Sequence, residues 1–159
     1  MLPSEVYSEL NTVKRFPASS SGEMLRQHIS DIISAKGPVF STAIIAGVMA
    51  AKKTSDLIPF CHPIALDSVD ITIDLDTHHE LDRNNNSSHS SNVSPRGLLT
   101  ISCIAKTSGK TGVEMEAMVG ASTAALCCYD MLKALSHEIT ISSVELVHKS
   151  GGKSVYNRK

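Results

Sequence analysis

Two segments of the chain place charged side chains beside apolar ones, where catalytic groups are often found. Residues 52–63 hold two lysines, a carboxylate and His62. Residues 110–133 hold further lysines and several carboxylates, among them Asp130. Burial and opposite charge shift pKa values, and acid–base catalysis depends on shifted pKa values. The two segments therefore indicate an enzyme that moves protons.

Asp130 and Lys133 form the most specific pair in the second segment. They lie three residues apart, so a helix would place both side chains on one face. Taken alone, such a pair is most often an exposed ion pair that contributes less than about 1 kcal/mol to stability. Two carboxylates earlier in the same segment, Glu114 and Glu116, favour a catalytic role for the pair.

The backbone conformation around Glu114 and Glu116 decides whether these carboxylates can act together. In an extended strand both would point to one side, because alternate side chains share a face. In a helix they would lie about 200° apart and could not act together. The turn-forming residues 110–112 favour the extended conformation, which we therefore expect.

His62 is the candidate histidine of the first segment. It lies in a stretch with prolines at positions 59 and 63, which restrict the backbone and aim the imidazole in one direction. A lone histidine is more often structural than catalytic, but this one lies on a rigid apolar turn, so both roles stay open. The two lysines upstream favour an acid–base role.

Three lysines lie beside or near glycines and are candidates for holding phosphate. Lys36 directly precedes a glycine, and Lys149 and Lys153 flank the pair of glycines in residues 149–154. Backbone N–H groups beside ammonium groups commonly bind phosphate. Neither segment is a Walker A loop, because the earlier glycine of that motif is absent. The alternative for residues 149–154 is a flexible basic terminus. The lysines together predict an anionic, phosphate-bearing substrate.

Composition limits the classes of protein that fit. A chain of 159 residues with a net charge of −1 has room for one ordinary domain and provides no global field for nucleic acid or anionic membranes. No stretch approaches the roughly 18 apolar residues of a membrane span. The four cysteines show no metal-binding spacing. All four lie in apolar contexts, where a free cysteine behaves as a small hydrophobic residue, which favours a reducing intracellular location, either cytoplasm or mitochondrial matrix.

Periodicity predicts a single catalytic α+β domain over residues 22–159. Residues 1–21 are typical of a poorly ordered or divergent leader. Residues 77–96 are typical of a polar low-complexity loop, too loosely built to hold a metal on its histidines. Helices are predicted over 23–33, 40–53 and 116–135, and strands over 69–75, 98–105 and 139–147. The Gly-Pro after Lys36 is expected to end the first helix. The order of elements favours a ferredoxin-like antiparallel sheet packed against helices.

Several of these segments together resemble the cyclic pyranopterin monophosphate synthase family of molybdenum cofactor biosynthesis. The resemblance covers about residues 34–154 apart from the polar loop. The matching segments are Lys36-Gly37, Ile45-Ala46-Gly47, Ala50-Ala51-Lys52, 55–59, Cys61-His62-Pro63, 110–117, Tyr129-Asp130-Met131, Lys133-Ala134 and 149–154.

This resemblance implies a lyase that converts 3′,8-cyclo-7,8-dihydro-GTP to cyclic pyranopterin monophosphate and releases pyrophosphate. It implies no metal and no organic cofactor. It also implies a homohexamer, a trimer of dimers, with active sites at a subunit interface. The expected partners are therefore a small phosphorylated pterin precursor and further copies of the chain.

The same resemblance assigns roles to individual residues. The catalytic group would consist of Asp130, Lys133, Lys36 and His62. The substrate would be contacted by Phe60, Cys61, His62, Glu114, Met115 and Glu116. Its phosphates would be held by Lys52, Lys149 and Lys153.

The chain departs from the family pattern at several positions. Pro38 stands where the family usually has aspartate, Ile44 where arginine is frequent, and Val155 where glycine is usual. The family's N-terminal signature is not recognisable in residues 1–21. Two alternatives therefore stay open. One is a catalytically impaired or non-catalytic homologue of the same fold, and the other is a regulatory domain that binds GTP-like nucleotides without turnover.

Overall fold

The computed structural model describes residues 4–15, 31–76, 96–151 and 154–158. The strands are β1 (Ser4–Arg15), β2 (Ile33–Ser34), β3 (Gly37–Pro38), β4 (Ser68–Asp76), β5 (Arg96–Thr107), β6 (Thr140–Lys149) and β7 (Tyr156–Asn157). The helices are α1 (Val39–Ala51), α2 (Thr54–Leu57) and α3 (Glu114–Leu132).

One antiparallel sheet has the strand order β4-β5-β1-β6-β7, and β2 and β3 form a separate short hairpin. The strand β1 lies in the middle of the sheet, where it pairs with β5 along its whole length and with β6 on its other side. Helices with an antiparallel sheet confirm the predicted α+β class. The ferredoxin-like arrangement stays a prediction.

The alternating pattern of β4 is the reason that this segment is a strand with one buried side. Ile71 is buried and the neighbouring Asp70 and Thr72 are exposed, as strict alternation predicts. In the next strand, β5, every second residue from Leu99 to Thr107 is buried. Most of the sheet residues in the core come from this strand.

The core lies between the sheet and the helices α1 and α3. On α3 the buried residues recur at helical spacing and are mostly small: Ala117, Gly120, Ala121, Ala124, Ala125 and Cys128. Small side chains let another backbone approach closely. The core is completed by aliphatic side chains such as Val39 and Ile101, both fully buried.

The helices α1 and α3 run antiparallel and touch at two glycines. A Cβ on Gly47 would lie 3.1 Å from the Cβ of Ala124, and a Cβ on Gly120 would lie 3.3 Å from the Cβ of Ala51. Later residues of α1 thus contact earlier residues of α3. The N-terminal end of α1 therefore lies beside the C-terminal end of α3, which contains Asp130.

Two sequence expectations are corrected by the fold. The expectation of a loose leader missed β1, because residues 4–15 form the middle strand of the sheet. The first predicted helix does not reach Ile33, which lies in β2, and Gly37 lies in a tight β-hairpin rather than at a helix end. The remainder of that helix, residues 23–30, lies outside the described residues, as does the polar loop at 77–95.

Two features of the described residues concern membranes and metals. None of the helices found there is long and apolar enough to cross a membrane. Within the same residues, no group of three or more His, Cys, Asp or Glu side chains is arranged to hold a metal ion.

Candidate active site

Lys36 is held at the tip of the hairpin formed by β2 and β3. The Ser34 hydroxyl donates to the Gly37 carbonyl oxygen at 3.1 Å and accepts from the Lys36 backbone N–H at 3.1 Å. Gly37 has a φ of 109°, which side-chain-bearing residues rarely adopt. The hairpin therefore requires glycine after Lys36 and directs the lysine away from the core.

Asp31 fixes this hairpin to the start of α1. Its Oδ1 accepts from the Phe40 backbone N–H at 2.7 Å, and its Oδ2 accepts from the Ser41 backbone N–H at 2.9 Å. Partial burial opposes ionisation, but hydrogen bonds from Ser41 and Phe40 outweigh it and lower the pKa of Asp31. The helix begins after Pro38, whose side chain has no acceptor. Asp31 supplies the capping oxygens instead.

Asp130 joins two lysines that come from different parts of the chain. Its Oδ2 lies 2.6 Å from Lys36 Nζ, although these residues are 94 positions apart. Its Oδ1 lies 2.7 Å from Lys133 Nζ, three residues further along. Lys36 Nζ also lies 3.3 Å from the Asp130 carbonyl oxygen. We call these three residues the lysine–aspartate cluster.

The two lysines control the ionisation of Asp130. Hydrogen bonds from Lys133 and then Lys36 lower its pKa to about 2. The same hydrogen bond to Asp130 raises the pKa of Lys133. All three side chains are about half exposed. This exposure leaves the cluster open to a ligand, and its formal charge is +1. Exposed ion pairs of this kind contribute little to stability.

A second charged group lies at the other end of α3. Glu114, the first residue of that helix, forms an ion pair with Lys149, the last residue of β6. Both side chains are partly buried, with 22% of Lys149 and 27% of Glu114 exposed. Solvent screens such a pair less than one at the surface.

Glu116 is buried rather than placed beside Glu114. Only 4% of it is exposed, and burial raises the pKa of its carboxyl group, as does the nearby charge of Glu114. The expectation of an extended backbone here was wrong, because α3 already begins at Glu114. Helical spacing turns the two side chains in different directions, which is why one is buried and the other pairs with Lys149.

The segment that contains His62 is anchored near the N-terminal end of α3. Downstream of His62, Asp67 donates its backbone N–H to the Lys106 carbonyl oxygen at 2.8 Å. The Ser108 hydroxyl donates to Asp67 Oδ2 at 2.6 Å. The short segment after Ser108 leads directly into α3. His62 is exposed, and so is Phe60, at 95%.

The predicted residues therefore fall into two sets. Lys36, Asp130 and Lys133 meet at the C-terminal end of α3. The second set lies towards the N-terminal end of α3 and comprises Lys52, Phe60, Cys61, His62, Glu114, Met115, Glu116 and Lys149. Asp130 lies sixteen positions after Glu114, a rise of about 24 Å along a helix. Lys153 lies outside the described residues.

Sequence reasoning missed Asp31 and Ser34, which hold Lys36 in place. Each acts across a turn between irregular or very short elements, where hydrophobic periodicity carries no signal. One sequence feature could have indicated this distant cap. An aspartate lies several residues before a helix, and that helix begins directly after a proline.

The sequence of this chain is similar to those of known proteins. The sequence matches the MoaC family over residues 5–152, a range that begins in β1 and ends just after β6. It is also 42% identical over 154 residues to "Molybdenum cofactor biosynthesis protein 1" of Dictyostelium discoideum. That alignment covers 96% of this chain and 21% of the relative, so the chain spans about a fifth of the relative's length.

Proposed function

Because this chain belongs to the MoaC family, we propose that it acts in molybdenum cofactor biosynthesis as a cyclic pyranopterin monophosphate synthase. The substrate is 3′,8-cyclo-7,8-dihydro-GTP. A hydroxyl oxygen of this substrate bonds to the α-phosphorus, and the bond from that phosphorus to the departing pyrophosphate breaks. The enzyme is accordingly a phosphorus–oxygen lyase.

The observation that carries this proposal is the lysine–aspartate cluster. Ring opening and reclosure require protons to be delivered and removed in sequence. Asp130 raises the pKa of Lys133, so Lys133 enters the reaction as an ammonium group that donates a proton. It becomes a base for the next transfer only after that donation. Lys36, bound to the other oxygen of Asp130, keeps the carboxylate ionised and oriented.

Phosphate binding is the task of the remaining lysines. The triphosphate is strongly anionic, and negative charge grows on the leaving pyrophosphate as its bond breaks. Ammonium groups placed beforehand stabilise such charge without reorganising. In this proposal Lys52 and Lys149 hold the phosphates, together with Lys153. Glu114 orients Lys149 through their ion pair.

We also propose a site shared between subunits, because the two sets of residues lie far apart in one chain. About 24 Å of helix separates Glu114 from Asp130, a distance that favours contributions from two subunits over a single protomer. In this proposal a neighbouring subunit brings the N-terminal end of its α3 to the lysine–aspartate cluster. This arrangement agrees with the proposed homohexamer, in which His62 of one subunit would act beside Asp130 of another.

The test is pyrophosphate release from freshly prepared 3′,8-cyclo-7,8-dihydro-GTP. Wild-type protein should release one pyrophosphate for each cyclic monophosphate formed. Lys133→Ala should reduce turnover by about 100-fold or more, because one proton-transfer group is lost. Lys53→Ala is the matched control, since Lys53 is an exposed lysine that lies outside both sets and should leave turnover unchanged.

Two results would contradict the proposal. Full turnover in Lys133→Ala would remove the lysine–aspartate cluster from the chemistry. No pyrophosphate release by an assembled wild-type oligomer that still binds the substrate would favour a non-catalytic nucleotide-binding homologue instead.

A further inference from the structure

The strand β7 lies against the outer side of β6 and flanks Lys149. In this pairing Lys149 is opposite Tyr156, while its other neighbour in the sheet is Val6 of β1. The Arg158 backbone N–H donates to the Val147 carbonyl oxygen at 2.8 Å and extends the contact by one residue. Lys149 thus ends β6 with a strand on each side.

Two side-chain contacts hold β7 in this position. Arg158 Nε lies 2.8 Å from Glu145 Oε2. His148 Nδ1 lies 2.5 Å from Asn157 Oδ1, and because an amide oxygen only accepts, the histidine nitrogen is the donor. Both contacts join a side chain on β6 to one at or just after β7. We call them the β7 contacts.

The last residue of an edge strand frays readily, because its backbone groups on one side have no protein partner. Without β7, the strand β6 would become the edge of the sheet, with Lys149 at its very end. The Lys149 ammonium group would then lose its alignment with Glu114. Residues 154–158 lie outside the range 5–152 that matches the family, so the β7 contacts are a feature beyond that match.

We infer that Arg158 is a positioning residue which, through Glu145 and β7, holds Lys149 in place to bind the pyrophosphate part of the substrate. The inference rests on the proposed function. Arg158 touches no reacting atom in this account. Its contribution should therefore appear in the binding of substrate and pyrophosphate rather than in the chemical step.

The first experiment compares Arg158→Ala with wild-type oligomer. KM for the cyclised dihydro-GTP should rise about threefold with kcat unchanged, the size expected for a partly exposed ion pair. Affinity for inorganic pyrophosphate should fall by a similar factor. Amide hydrogen exchange in residues 145–150 should become faster. Arg158→Lys should restore part of each property, and Asn157→Leu should reproduce the loss without a change of charge.

Glu145→Gln separates positioning from direct binding by the sign of its effect. If Arg158 positions Lys149, releasing Arg158 from Glu145 weakens pyrophosphate binding. If Arg158 itself binds the anion, the same change frees its charge and tightens binding. Tighter binding in Glu145→Gln would therefore overturn the inference.

The remaining outcomes separate this inference from the proposed function. Unchanged pyrophosphate affinity in Arg158→Ala, or in Lys149→Ala, would overturn the inference even if the enzyme turns over normally. A wild-type protein that forms no cyclic monophosphate would overturn the proposed function. Pyrophosphate affinity and amide exchange need no turnover, so they would still decide whether Arg158 positions Lys149.

Discussion

Gly47 lies so close to the backbone of Gly120 that it has no room for a side chain. A Cβ on Gly47 would lie 2.7 Å from the Gly120 carbonyl oxygen and 2.5 Å from Ile71 Cδ1. This contact sets the separation of α1 and α3. Since Lys36 precedes α1 and Asp130 lies on α3, the same contact determines how these two residues are placed relative to each other.

Gly47→Ala should therefore destabilise the protein and disturb the lysine–aspartate cluster together. Overpacking of this kind costs typically about 1–3 kcal/mol, because the carbonyl oxygen cannot move aside as a flexible side chain can. The free energy of unfolding from urea titration measures the first effect, and pyrophosphate release measures the second. An unchanged free energy of unfolding would contradict this prediction, because it would mean that the helices move apart without an energetic cost.

Asp31→Ala should lower both the stability of α1 and the catalytic rate. Loss of a helix cap costs about 1 kcal/mol, and here the same residue closes the hairpin that carries Lys36. Asp31→Asn should recover part of the stability, because an amide keeps one acceptor oxygen. Thermal unfolding and kcat should be measured on the same preparations. If kcat falls no further than the loss of folded protein explains, Asp31 has no separate effect on the position of Lys36.

Asp130 should not contribute an ionisation to the pH profile near neutrality. Its folded-state pKa of about 2 lies below the ordinary value of 3.8. The stabilisation from ionised Asp130 is therefore present above the ordinary pKa and lost only as the pH falls towards about 2. Asp130→Asn should lower pyrophosphate release by a constant factor between about pH 5 and pH 8. A factor that varied with pH in that range would contradict the assignment.

The contribution of Glu116 to stability should depend on pH in the opposite sense to that of Asp130. Burial raises its pKa above the ordinary value of 4.5, so ionising the carboxyl in the folded state is unfavourable. The stability due to neutral Glu116 is complete below that value and is lost as the pH rises through the folded-state pKa. The melting temperature of Glu116→Gln minus that of wild type should accordingly increase with pH. A difference that falls would show that Glu116 has a cationic partner in the assembled protein.

Mixing two inactive variants tests whether the active site is shared. Asp130→Asn damages the lysine–aspartate cluster, and Lys149→Ala damages the set at the other end of α3. If each site takes one set from each of two subunits, co-refolded mixtures should contain some intact sites and regain part of the pyrophosphate release. The control is each variant refolded alone. An active monomer would contradict the shared site, and light scattering of the same samples measures the mass.

Local patterns in the sequence were sufficient for several elements and for one contact of the site. Helical spacing of small residues predicted α3, and strict alternation predicted β4, because each pattern reflects burial of one face of a single element. The contact of Asp130 with Lys133 could be predicted for the same reason, since three residues of helix bring the side chains together.

Tertiary structure alone decided the remainder. The apolar residues Val6, Leu10 and Val13 do not alternate, so β1 is a strand by virtue of its two neighbours in the sheet rather than its own pattern. Lys36 meets Asp130 across 94 positions because α1 packs antiparallel against α3. Periodicity describes which face of an element is buried. Which elements meet, and at which ends, depends on long-range packing that no single segment encodes.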